Sequence, residues 1–329
     1  MLAALALAGC GRYADFTLPV LPGGDPHLTF EWEERNGPVL SPAEAWESHD
    51  VLAPAMAGVH DMLYSGFDGH TWRTGFADSD DGLVWRRNAR RPLEPDGAGW
   101  EGDYIAGNGS AMVRADFLWY WYVAGPRGFP RIGLWKSYVG MPRPGGKIPD
   151  RKEPVPVLAA GPYMSWDERG VADPYVIRAG DQFYMYYLGQ DRARRQRLGV
   201  ARSSDGVHWQ KLRDNPILQL GGAGAFDENG LGEPAVWSYG GFYWMLFTGR
   251  DAGENRRLGL ARSTDGVHWR KLPAVFAGAQ AWDSKVLCDP SVVVDGQQIR
   301  VWFGGGDVAR PDENVHGQIG AAVLRPVTR

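Results

Sequence analysis

The 329-residue chain has only two cysteines, Cys10 and Cys288, so no disulfide framework holds it together. Its seven histidines form no cluster with one another or with cysteine at metal-ligand spacing. No metal or cofactor is therefore indicated, and the one option left open is a structural Ca²⁺ bound by carboxylates. No apolar run is long enough to span a membrane. Charge of neither sign dominates: the formal balance is −4 with both signs interspersed, and no basic stripe exists that could track a phosphate backbone. Nucleic acid is thereby excluded as a partner, which leaves a neutral or small molecule bound by a monomer.

What is abundant is aromatic residues and glycine. Fifteen Trp, thirteen Tyr and 45 Gly fall into a pattern that repeats along the chain. WDERGVADPYVIRAGDQFYMYYLGQDRARRQRLGVARSSDGVHW, from Trp166, is followed 60 residues later by FDENGLGEPAVWSYGGFYWMLFTGRDAGENRRLGLARSTDGVHW. Each copy holds four strand-like runs separated by turn signals such as Ala179-Gly180-Asp181 and Asp205-Gly206, which describes an antiparallel sheet of four strands. Runs such as Phe183-Tyr184-Met185-Tyr186-Tyr187 have the period of strands and exclude a helical fold. A four-stranded sheet repeated near every 60 residues reads as a β-propeller blade.

Two markers count the copies. An aromatic stands eight residues before the same point of the first strand at Trp46, Trp100, Trp166, Phe226 and Trp282. A glycine recurs in the third strand at Gly75, Gly133, Gly199, Gly259 and Gly320. The expected fold is all-β, a five-bladed propeller with blades at about 46–93, 100–158, 166–218, 226–275 and 282–326. The last blade lacks a fourth strand, and residues 30–40 are expected to supply it: Trp32 with Pro38-Val39-Leu40 imitates Trp209 with Pro216-Ile217-Leu218. That pairing removes an open sheet edge. Residues 11–27 then read as a tether, ahead of a propeller domain at 28–329.

The motif S-x-D-G-x-x-W, at Ser79–Trp85, Ser203–Trp209 and Ser263–Trp269, reads as a structural turn, since chemistry is not copied into three blades. The opposite end of each sheet, where first strands begin and second strands end, is the functional face. Its loops offer Trp72 as a stacking platform and Arg192, Arg250 and His316 as hydrogen-bonding groups for a substrate. One residue after each entry aromatic an acid recurs: Glu47, Glu101, Asp167, Asp227 and Asp283, five of five, which marks scaffold. Seven residues after it the identity varies: Ala53, Gly107, Asp173, Glu233 and Asp289. These positions face the axis, where three carboxylates from consecutive blades would raise one another's pKa.

Ala172-Asp173-Pro174, Gly232-Glu233-Pro234, Cys288-Asp289-Pro290 and the S-x-D-G-x-x-W turns resemble the five-bladed propeller glycosidases of families 32, 43, 62 and 68. Gly109-Ser110-Ala111 is similar to the Gly-Ser-Ala of their fructan-cleaving members. The resemblance, over residues 30–326, implies a glycoside hydrolase acting on an oligo- or polysaccharide. It implies Glu233 as general acid and Asp173 as the residue that tunes it and holds the sugar. The family's base, an Asp in blade one, is Ala53 here, and Asp50 or Asp289 is the expected substitute. Two alternatives accompany this reading: a glycan-binding propeller without catalysis, and a glycoside phosphorylase using Arg192 and Arg250 for phosphate.

At the N-terminus, Leu7-Ala8-Gly9-Cys10 looks like the lipobox of a bacterial lipoprotein signal. The expectation is a signal segment at 1–10, lipidation of Cys10, and a protein anchored in the cell envelope, at the periplasmic or cell-surface side.

Overall fold

The computed structural model describes residues 11–34, 37–141, 148–296 and 298–329. Among these the helices are two single 3₁₀ turns, at Ala45–Glu47 and Ala281–Asp283, and the rest of the regular structure is strand. The strands are β1 (Tyr13–Ala14), β2 (Leu28–Glu34), β3 (Asp50–Met56), β4 (Asp61–Phe67), β5 (Trp72–Ser79), β6 (Trp85–Arg87), β7 (Ile105–Arg114), β8 (Phe117–Gly125), β9 (Arg131–Tyr138), β10 (Arg151–Lys152), β11 (Gly170–Ala179), β12 (Gln182–Gln190), β13 (Gln196–Ser203), β14 (Gln210–Leu212), β15 (Gly230–Tyr239), β16 (Phe242–Arg250), β17 (Arg256–Ser263), β18 (Arg270–Phe276), β19 (Val286–Asp295), β20 (Gln298–Gly306) and β21 (Gln318–Thr328). Cys10 and residues 142–147, between β9 and β10 in the sequence, lie outside the described residues.

Each repeat is an antiparallel meander: β3 to β6, β7 to β10, β11 to β14, β15 to β18, and β19 to β21 with β2. The first two form one continuous sheet through a single parallel bridge, Trp72 to Ile105. The first strands pack against one another in the order β3, β7, β11, β15, β19, and β19 also packs against β3. Between the meanders lie the apolar cores, such as Tyr186, Leu198, Val236 and Met245 between the third and fourth. Middle strands are buried on both faces: all of β16 but Arg250 is buried, whereas outer strand β18 is mostly exposed or half-buried.

The two sequence markers have one cause. In every repeat the far edge of the entry aromatic comes against the third-strand glycine, and a Cβ added at Gly75, Gly133, Gly199, Gly259 or Gly320 would come within 2.5–3.0 Å of that ring. Glycine is required there because nothing else lets the ring approach the backbone. The S-x-D-G turns are likewise structural. Ser203 Oγ accepts the Gly206 N–H at 2.8 Å, Asp205 accepts two further amides, and the carbonyl of Gly206 receives both Trp209 Nε1 and Trp121 Nε1 of the preceding repeat. The Gly82 carbonyl receives Trp85 and Trp302 in the same way.

The N-terminal strand β2 pairs antiparallel with β21, from Leu28 opposite Thr328 to Glu34 opposite Ala322, and Leu40 bridges to Ile319. Phe30, 2% exposed, sets its ring edge-on to Trp244 at 4.7 Å. The preceding residues correct an expectation: 11–27 is a docked segment and not a tether. β1 pairs in parallel with β14, the N–H groups of Leu18 and Leu21 donate to Asp265 and Thr264 carbonyls at 2.8 Å, and Leu18 is 1% exposed. Its leucines bury against the third and fourth repeats, which a free linker would leave in water.

Candidate active site

The chemistry-bearing side chains sit on irregularities of the first strands. In each, the pairing with the second strand skips two residues: Leu52/Ala55, Gly107/Ser110, Ala172/Tyr175, Gly232/Ala235 and Cys288/Ser291. The first residue skipped is left-handed in all five, at Ala53, Asn108, Asp173, Glu233 and Asp289, with φ between 48 and 50°. Such a conformation costs a residue with a side chain roughly 1–2 kcal/mol. In four repeats the next residue is proline, which has no N–H to complete the ladder and holds the bulge open. The bulge turns its first side chain out of the strand's alternation toward the axis. Here the register differs from expectation: Asn108 and not Gly107 occupies the second repeat's axial position, because the segment after Trp100 is one residue longer. Ser110 could have revealed this, since its Oγ accepts Val176 N–H at 3.0 Å just as Ser291, one residue after Pro290, accepts Met56 N–H at 3.1 Å.

Asn108, Asp173, Glu233 and Asp289 thus converge between two cavities. The upper, about 460 Å³, opens between the loops of the functional face; the lower, about 250 Å³, continues down the axis. The Asp289 N–H donates to Glu233 Oε2 at 3.4 Å. Burial, then the charges of Glu233 and Asp289, hold the Asp173 carboxyl well above the usual range, and the Asn108 side chain bonds it. Asp289 is pushed up to about 7 by burial and the Glu233 charge, against the opposing pull of the Cys288 thiol, which donates to its Oδ2 at 3.1 Å, and of Arg256. Carboxyl groups whose proton affinity is raised in this way, as in Asp173 and Asp289, suit acid–base chemistry near neutral pH.

Arg256, which sequence reasoning did not single out, is 7% exposed and lines the upper cavity. Its guanidinium donates to the carbonyls of Arg310, at 2.9 Å, and Pro311, and faces Cys288, Glu233 and Asp289. Among the described residues, one group could offer three ligand atoms to a cation, Glu233, Cys288 and Asp289 within 4.8 Å. The fixed positive charge of Arg256 already stands beside it.

Asp50 is not a base. It is fully buried, lines neither cavity, and its carboxylate accepts the N–H groups of Asn314 (2.6 Å), Val315 (3.1 Å) and Gly317 (2.7 Å). Both oxygens are thereby committed to the β20–β21 loop, whose Pro311 and Asp312 rim the upper cavity. Next to them, Glu313 accepts the Tyr104 hydroxyl at 2.6 Å and the Arg127 guanidinium at 2.5 Å, joining this loop to the second repeat.

Of the four expected substrate contacts, Trp72 and Arg250 line the upper cavity, Trp72 stacked on Phe67 at 4.8 Å and Arg250 ion-paired with Glu254 at 3.2 Å. The other two do not line it: the exposed Arg192 pairs with Glu168 at 3.3 Å, and the exposed His316 with Asp307 at 2.7 Å. The five recurring acids are scaffold, as their burial shows: Glu47, Glu101, Asp167 and Asp227 each bind a cation of the fourth strand, respectively Arg87, Lys152, Lys211 and Lys271.

Residues 157–281 match the glycosyl hydrolases family 32 N-terminal domain. The chain is 28% identical over 232 residues to the uncharacterized protein MT1551 of Mycobacterium tuberculosis (strain CDC 1551 / Oshkosh), spanning 67% of this chain and 75% of that one. A solved structure described as a glycoside hydrolase superposes with a TM-score of 0.70 at 17% identity over 93% of both chains. Another, from work reporting that the GH130 family of mannoside phosphorylases contains glycoside hydrolases that target β-1,2 mannosidic linkages in Candida mannan, superposes with a TM-score of 0.66 at 17% identity, over 94% of this chain and 96% of that one. The chain resembles the β-propeller glycosidases in fold over nearly its whole length and in sequence over its third and fourth repeats.

Proposed function

We propose that the protein is a glycoside hydrolase of an oligo- or polysaccharide, built as a five-bladed propeller in which β2 completes the last blade and closes the ring. The observation that carries this reading is the convergence of Asp173, Glu233 and Asp289, from three consecutive repeats, on the floor of one open cavity. Glu233 protonates the leaving oxygen, Asp173 holds the sugar and keeps the local proton affinity high, and Asp289, of the two expected substitutes Asp50 and Asp289, activates water. Arg256 balances the charge that remains when one of the carboxyl groups ionises. Release of reducing sugar from arabinan, xylan, fructan and mannan, with and without phosphate, tests the activity. Turnover that requires phosphate assigns a phosphorylase instead, and a tight sugar complex without turnover assigns a binding protein.

We also propose, from the lipobox alone, that Cys10 bears lipid and holds the protein to the cell envelope. Cys10→Ser is expected to move it from the membrane to the soluble fraction, and equal membrane retention of the variant contradicts the anchor.

A further inference from the structure

The third and fourth repeats set four side chains into the same backbone frame at the mouth of the upper cavity, and the fourth serves as an internal control for the third. Gln190 pairs with Gln196 across β12 and β13, where the fourth repeat pairs Arg250 with Arg256. Arg169 N–H donates to the Gln190 carbonyl at 2.9 Å, as Asn229 N–H does to that of Arg250. Arg194 and Glu254 hold the corresponding left-handed position of the following loop, with φ of 62° and 63°.

In the fourth repeat the set satisfies itself. Glu254 receives Asn229 Nδ2 at 3.1 Å and pairs with Arg250 at 3.2 Å, while Arg256 serves the loop carbonyls and the axial acids. In the third repeat the acid has become Arg194 and the asparagine Arg169, so two guanidinium groups and two carboxamides share the frame with no carboxylate. The acids that flank Arg169 and Arg194 in sequence are committed elsewhere: Glu168 to Arg192, and Asp191 to Arg195 (2.8 Å) and Arg197 (3.0 Å). Among the described residues, Arg169 meets only the ring of Phe129, at 4.5 Å, and Arg194 meets no acid. Both line the cavity together with Gln190 and Gln196.

We propose that these four residues form an oxyanion subsite, which takes either the carboxylate of an acidic sugar unit or a phosphate. This rests on the glycan reading of the cavity. A guanidinium group presents paired donors that match the planar or tetrahedral oxygens of such groups, and the carboxamides add further donors. The need is electrostatic: whatever negative charge the floor's carboxyl groups carry repels an anion, so an acidic ligand requires cations at the rim, and two guanidinium groups with no carboxylate partner supply them.

The test is calorimetric binding to the full chain at low salt, with digalacturonate, the neutral digalactose and inorganic phosphate as probes. The expected result is that digalacturonate or phosphate binds at least about tenfold more tightly than digalactose, and that Arg194→Glu and Arg169→Ala each remove about tenfold of that preference with unchanged melting curves. Tight binding of digalacturonate assigns the subsite to a sugar carboxylate; tight binding of phosphate alone assigns it to free phosphate. Equal affinities for all three probes, no anion binding, or a preference that both variants retain overturns the proposal. Because turnover is not read, loss of the hydrolase reading leaves the result standing, and hydrolysis of neutral glycans by a chain that ignores both anions defeats the subsite alone.

Discussion

The backbone N–H of Asp289 donates to Glu233 Oε2 at 3.4 Å, so the two bulges that carry these carboxyl groups are tied to each other across adjacent repeats. The bond holds one oxygen of Glu233, a residue that lines both cavities. It also fixes the distance over which the two charges interact, and with it the proton affinity of Asp289.

Glu233→Gln keeps the size of the side chain and an oxygen to accept that amide, but it has no proton to give. Cleavage of substrates with poor leaving groups is expected to fall by about 10²–10⁴-fold, with sugar affinity nearly unchanged. Initial rates on substrates graded by leaving-group pKa, together with calorimetric binding, check this. Retained cleavage moves the acid role to Asp289 or out of the channel.

Burial and the Glu233 charge push Asp289 up to about 7, so the pair carries one proton below that pH and none above it. Cleavage needs that proton on Glu233 with Asp289 ionised, and the rate is therefore expected to fall as pH rises through about 7. Removing the positive charge with Arg256→Met should shift the limb to higher pH, since Arg256 lowers the Asp289 pKa. A limb that stays near 7 in Asp289→Asn excludes Asp289 as its origin.

The fold was legible because the structure repeats and its turns have strict chemistry: Ser79, Asp81 and Gly82 bond as their spacing demands, and the entry aromatics need their glycines. The axial acids were legible for the same reason, since Asp173, Glu233 and Asp289 each precede a proline. Asp50 was misread because an acid without counterparts in the other repeats looks functional, and sequence does not say whether it faces a cavity or a loop's amides. Asn108 was displaced by a one-residue insertion. Arg256 and Glu313 act through loops whose paths no local pattern encodes, and Leu18 lay in a Pro- and Gly-containing stretch that reads as linker until its docking surface is known.

Asp50 shapes the site without touching the chemistry. Asp50→Ala strands three N–H groups of the β20–β21 loop, at a cost of about 1–3 kcal/mol of stability for each that water does not reach. With the rim residues Pro311 and Asp312 loosened, KM should rise while kcat stays within about tenfold, far from the loss expected of a missing base. A drop in kcat of a thousandfold with KM unchanged would restore Asp50 as the base.

The last blade of the proposed ring differs from the others at one ionic contact. Where the first four repeats set Arg87, Lys152, Lys211 and Lys271 against their buried acids, β2 sets Glu34 against Asp283. Glu34 occupies the place of the cation by register, opposite Ala322 as Lys211 is opposite Ala201 and Lys271 opposite Ala261. Burial first, then Asp283, push its pKa up to about 7, while the Ala279 N–H and the Gln280 side chain pull the other way. A raised carboxyl pKa means that the folded state holds the proton more tightly than the unfolded chain does. The resulting stability is fully present below the ordinary carboxylate pKa and is lost as pH rises through about 7, where two ionised carboxylates would face each other. The melting temperature should accordingly fall between pH 5 and pH 8, and Glu34→Lys, which installs the cation used by the other repeats, should flatten that fall and raise the melting temperature at pH 8. Deleting residues through Glu34 should destabilise at every pH, because it also uncovers β21 and the pocket of Phe30. Equal slopes in wild type and Glu34→Lys would show that the Glu34–Asp283 contact does not govern how β2 is held.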